Sequence, residues 1–104
     1  MSLRAQDVLQ SINLIAINPS IRSGRPYIVG TTITVMDIAI AQNYHQRDAA
    51  GIAEWYGLSL SQVHAALAYY YEHQGEIDEL IAAQIRHAEE LQERRVGNEG
   101  SLLP

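Results

Sequence analysis

At 104 residues with 47% apolar side chains, the chain can bury one hydrophobic core and is too short to divide it, so residues 1–104 read as a single domain. Cysteine is absent, which excludes disulfide frameworks, thiolate nucleophiles and thiolate metal sites. The net charge of -5 is uneven: residues 1–70 set four arginines against four acidic groups, residues 71–104 set three arginines against eight, and there is no lysine. A neutral front and an acidic back make the second part poorly suited to lie against phosphate. No window approaches the ~20 apolar residues of a membrane span, and the N-terminus lacks the basic start and apolar core of a secretory signal. The expectation is a cytoplasmic protein with no membrane partner.

In chain order, Val8, Leu9 and Ile12 fit a turn of helix, and Leu14, Ile15 and Ile17 a strand after it. Pro19 fixes its own φ and pushes Asn18 away from helical geometry, so residues 18–20 read as a turn. Residues 27–29 and 32–35 are rich in β-branched side chains, with Gly30 and Thr31 between them. The spacing predicts a small β-hairpin within 15–35.

From Met36 the period lengthens to about 3.6, and a helix-turn-helix module is expected over 36–73. Its first helix starts near Thr34 or Asp37 and ends near His45. Asp48 caps the second, in which Ile52, Ala53, Trp55 and Tyr56 are expected to be buried, and Gly57 ends it. Ser59 and Gln62 form a capping box for the third, with Leu60, Val63, Leu67 and Tyr70 as its buried stripe and Ala66 allowing close approach. Of the run Tyr69, Tyr70 and Tyr71, at least one ring must face outward. A fourth, amphipathic helix follows over 76–96, with Ile77, Leu80, Ile81, Ile85, Ala88 and Leu91 along one stripe. Residues 97–104 read as a flexible tail. The fold class is α+β, mainly α.

Five segments, Ile17-Asn-Pro19, Gly24-Arg-Pro-Tyr-Ile-Val-Gly-Thr31, Ile33-Thr-Val35, Ile52-Ala-Glu-Trp-Tyr-Gly-Leu58 and Val63-His-Ala-Ala-Leu-Ala-Tyr-Tyr70, closely resemble the bacterial family numbered 433 among domains of unknown function. The resemblance covers roughly residues 15–80. It implies a β-hairpin with a homeodomain-like or winged-helix-like core, and a role as a VapB-like antitoxin paired with a PIN-like nuclease toxin. Where the family pattern commonly reads Gly-Thr-Arg, this chain has Gly30, Thr31 and Thr32. Arg25 substitutes for that arginine only if the hairpin sets it on the same face.

In a helix-turn-helix the third helix enters the major groove, and here Ser61, Gln62 and His64 would face the bases. Glutamine can pair with adenine, but the commonest specific reader, arginine on guanine, is missing from that helix. Arg22, Arg25 and Arg47 are the cations near enough to meet phosphate, a modest set even when doubled in a dimer. Arg25, Arg47, Ser61, Gln62 and His64 are therefore the candidate residues for promoter DNA. An exposed hairpin edge would be covered in a homodimer. The C-terminal helix offers Ile77, Ile81, Ile85 and Leu91 to a groove on a partner protein, or to the chain's own core or a second copy. If the antitoxin resemblance holds, Arg86, Arg94 or Arg95 pairs with the carboxylates that hold magnesium in a PIN-like nuclease.

Catalysis is not expected. His45, His64, His73 and His87 lack the i,i+4 spacing of a helical zinc pair, and none has a carboxylate three residues before it. No nucleophile elbow or phosphate loop is present. Neither metal nor cofactor is implied. The reading is an antitoxin-like protein acting by stoichiometric binding; the alternative is a homodimeric assembly module that does not touch nucleic acid.

Overall fold

In the computed structural model, which describes the backbone of residues 3–102 and the side chains of residues 3–95, a minimal sheet leads into four helices. Strand β1 (Ile15–Ala16) pairs antiparallel with β2 (Tyr27–Ile28), in the register Ile15 to Ile28 and Ala16 to Tyr27. The helices are α1 (Val35–Asn43), α2 (Ala49–Tyr56), α3 (Leu60–Glu72) and α4 (Gln74–Leu102). The architecture is α+β and mainly helical, as the sequence pattern predicts.

The hairpin is built differently from the expectation. Residues 27–29 and 32–35 meet in a single bridge, Tyr27 to Thr34, and the ladder forms with β1 instead. The reason is local competition at Thr34. Its hydroxyl accepts from the Asp37 N–H at 3.0 Å, and the Asp37 carboxylate accepts from the Thr34 N–H at 3.0 Å. This capping box starts α1 at Val35 and ends any extended run there. Gly30, at φ +82°, closes the turn between Ile28 and Thr31, in a region where a side chain is strained. The Thr31 hydroxyl donates to the Ile28 carbonyl at 2.8 Å and accepts from the Ile33 N–H at 3.0 Å. Upstream, residues 4–7 make one hydrogen-bonded turn, and Val8, Leu9 and Ile12 remain exposed.

The helical signals hold where they rest on caps. Asp48 accepts from the Gly51 N–H at 2.8 Å, Gly57 ends α2 in the left-handed conformation at φ +68°, and the Ser59 and Gln62 capping box opens α3. Ile28, Val35, Ile38, Ile52, Val63 and Ala66 are fully buried, and α3 packs across α1 and α2 around them. Two expected core residues are on the surface: Trp55 is 66% exposed and Leu60 53% exposed. Both lie near helix ends, where the stripe turns away from the neighbouring helices.

Only the start of α4 belongs to this core. Ile77 and Ile81 are buried against α1 and α3, whereas every described side chain from Ala82 to Arg95 is exposed. The helix runs on through Leu102 at a length of about 43 Å. It therefore passes the expected end at 96 and takes up most of the expected tail, of which residues 103–104 lie outside the described residues. A compact chain of this length would have a radius of gyration of about 13 Å. The observed 18.3 Å, with extents of 76 × 26 × 26 Å, reflects the projecting helix. Among the described residues no helix is long and apolar enough to cross a membrane.

Candidate interaction surfaces

Three surfaces gather the residues singled out by sequence. The first is the N-terminal end of α3 with the flank of α2. Ser61 and His64 are exposed there, but the Gln62 amide oxygen accepts from the Ser59 N–H at 2.8 Å, while the Ser59 hydroxyl accepts from the Gln62 N–H at 3.1 Å. A bidentate contact with adenine uses both the oxygen and the nitrogen of the amide, so this cap competes with the proposed reading. Arg47 is engaged as well: its guanidinium lies 4.3 Å from the centre of the Trp55 ring. That stacking explains how the tryptophan is accommodated at the surface. Arg47, Trp55, His45, Tyr56 and Ala41 line a cleft of about 310 Å³.

Arg22 completes this side. It donates to the Thr32 carbonyl at 2.8 Å and pairs with Asp37 at 3.1 Å. Arg22 thus reaches Thr32 from the turn that precedes β2, and Arg25 is half-buried. Arg22 and Ser23 hold positive φ of 47° and 59°, a conformation that costs non-glycine residues roughly 1–2 kcal/mol. The two bonds from Arg22 offset that strain. Burial raises the Tyr56 phenol above its usual pKa, Asp37 adds to the rise, and Arg47 and Arg22 oppose it, so the four groups share one electrostatic neighbourhood.

The second surface runs along α3 toward its C-terminal end. The N-terminal segment lies beside it, and Ile12, Ile15, Ala65, Ala68, Tyr69 and Glu72 enclose a hollow of about 270 Å³. Tyr69 stacks on His73 with ring centres 4.0 Å apart. Of the tyrosine run, Tyr71 faces outward at 56% exposure and accepts from the Gln42 amide at 2.8 Å.

The third surface is α4. Ile77 and Ile81, offered by the sequence to a partner, to the chain's own core or to a second copy, are 4% and 1% exposed and hold the helix to the body, which corrects the partner assignment for these two. Ile85 and Leu91 are exposed, as are Arg86, Arg94 and Arg95, and Leu80 joins them at 39%. Glu76, Glu79, Leu80, Ala82, Ala83 and Arg86 border a shallow hollow of about 670 Å³.

Where α4 leaves the body, the buried Tyr70 links two exposed polar residues, Asn43 and Asp78, in a chain that sequence reasoning did not single out. The Asn43 amide donates to the Tyr70 hydroxyl at 2.9 Å, and that hydroxyl donates to the Asp78 carboxylate at 2.6 Å. Tyr70 is 1% exposed, and burial raises its pKa, with Asp78 adding to the rise and Asn43 opposing it. The signal for this link was weak, because Asn43 lies 27 residues before Tyr70 and Asp78 is on the next helix. Among the described residues no group of three histidine, aspartate or glutamate side chains is arranged to hold a metal.

A short antiparallel ladder feeding capped helices, with one long helix projecting, defines a small α+β, mainly helical class of protein. The chain belongs to the family described as "Protein of unknown function (DUF433)", whose sequence profile matches residues 15–70. That span holds β1 through most of α3 and leaves α4 outside. Searches of curated proteins and of solved structures find no significant match.

Proposed function

We propose that this protein is the antitoxin-like half of a bacterial pair, a cytoplasmic protein that restrains a PIN-like nuclease by stoichiometric binding without turnover. The observation that carries this reading is α4, anchored by Ile77 and Ile81 and then exposed for the rest of its described length, with Leu80, Ile85 and Leu91 uncovered. An amphipathic helix held out from a small body is suited to lie in a groove on another protein. Arg86 and Arg94 on the same projecting segment can pair with carboxylates that otherwise hold magnesium, which would stop a metal-dependent nuclease. The nuclease class comes from the family resemblance, and the exposed helix supplies the contact.

A helix-turn-helix contact with promoter DNA is the weaker half of the reading. Gln62 is used in a cap, Arg47 is stacked on Trp55, and Arg22 is paired with Asp37. These observations favour the second reading, an interaction module that does not bind nucleic acid.

The test is capture of a nuclease from source-cell lysate by the tagged full chain, followed by purification and inhibition at equimolar ratio. Ile85→Glu with Leu91→Glu should abolish capture while leaving the fold intact. Equal capture by that variant would move the contact off α4, and a recovered nuclease that cleaves undiminished would end the antitoxin reading.

A further inference from the structure

After Ile77, the residues Leu80, Gln84, His87, Leu91 and Arg94 follow along α4 at alternating spacings of three and four, the pattern that keeps one helix face toward a second helix. The face begins in the body at Ile77 and emerges into solvent at Leu80 and Leu91, 39% and 49% exposed. Its ends carry opposite charges, Glu76 beside Ile77 and Arg94 at the far end.

We propose that α4 pairs with α4 of a second copy in antiparallel orientation, the two-fold axis passing near residues 85–86. This register sets Leu80 against Leu91 of the second copy in two symmetric layers and places Gln84 opposite His87 between them. It also brings Glu76 beside Arg94 of the second copy at both ends. A parallel pair would oppose Glu76 to Glu76 and Arg94 to Arg94, and like charges disfavour it. Charge and spacing thus select the same occupant. The pairing stands without the nuclease reading; where both hold, the nuclease displaces the second copy from this face.

Because the chain has no cysteine, introduced thiols report neighbours without background. L80C and L91C chains, mixed and oxidised with glutathione disulfide, should form the mixed disulfide. L80C alone should not, since the two copies of that position lie about 16 Å apart along the axis, well beyond the ~7 Å Cα limit for a disulfide. Sedimentation should show a dimer of the full chain that L91E dissociates. R94E should weaken it about three- to tenfold, as expected of exposed ion pairs, and E76R combined with R94E should restore it. A monomer up to millimolar concentration, a disulfide in L80C alone, or a dimer unchanged by L91E overturns the proposal. Circular dichroism of each variant separates loss of pairing from loss of fold.

Discussion

The body and the distal part of α4 use the same residue types under opposite conditions. Ile38, Ile52 and Ile81 are sealed from water, while Ile85 and Leu91, placed along the same helical period, are exposed at 37% and 49%. Periodicity marks which side chains share a face, and burial depends on whether anything stands opposite that face. In the body α1, α2 and α3 supply the opposite surface; beyond Ile81 no described element does. One apolar pattern therefore stabilises the fold in its first part and stores binding energy in its second.

The contrast breaks most visibly in the core. Ile38→Ala should cost about 2–5 kcal/mol, the range for a fully buried large-to-small change, read as a lower urea midpoint with an unchanged slope. A loss below ~1 kcal/mol would mean that α1 is not the centre of the body. Next comes the junction between the two regions. Tyr70→Phe removes the hydroxyl between Asn43 and Asp78 and should cost about 1–3 kcal/mol, with hydrogen exchange rising first at the start of α4.

The same phenol sharpens the comparison through pH. Its pKa is raised above 10.0 in the folded chain, so above pH 10 the unfolded chain loses this proton first. The stability it contributes is present below pH 10 and is lost as pH rises through the folded value. Tyr70→Phe should flatten part of that alkaline decline, while Tyr56, also raised, retains its share. Tyrosinate absorbance and thermal melts across the window would check it.

Smaller still is the link between α2 and α3. Gly57→Ala places a side chain at φ +68° with open space around it, so conformational strain alone should cost about 1–2 kcal/mol by thermal melting. Least affected is the projecting helix: Leu91→Ser should change the stability of the isolated chain by less than ~0.5 kcal/mol. A larger loss, measured at low concentration, would show that the distal helix already has an intramolecular partner.

Much of the fold was legible because its signals are local. Thr34, Asp48 and Ser59 cap helices through hydrogen bonds spanning three residues, and Gly57 ends α2 through its own backbone freedom. The candidate surfaces were legible only in part. Gln62 was visible both as a cap and as a base reader, and one side chain serves the first role in the fold. Trp55 had the spacing of a core residue, yet Arg47 offers its ring a partner at the surface. Ile77 and Ile81 carried the same signal as Leu91, although two are anchors and one is exposed.

The sequence by itself determined the helix boundaries in the body, the α+β class and the family, because caps, glycine turns and short motifs act over a few residues. Tertiary structure alone decided that Ile15 of β1 pairs with Ile28 of β2, and that Arg22 meets Thr32 and Asp37. It also decided where along α4 burial stops. Each of these is a contact between residues distant in the chain, and its outcome depends on which surfaces the packed body leaves within reach.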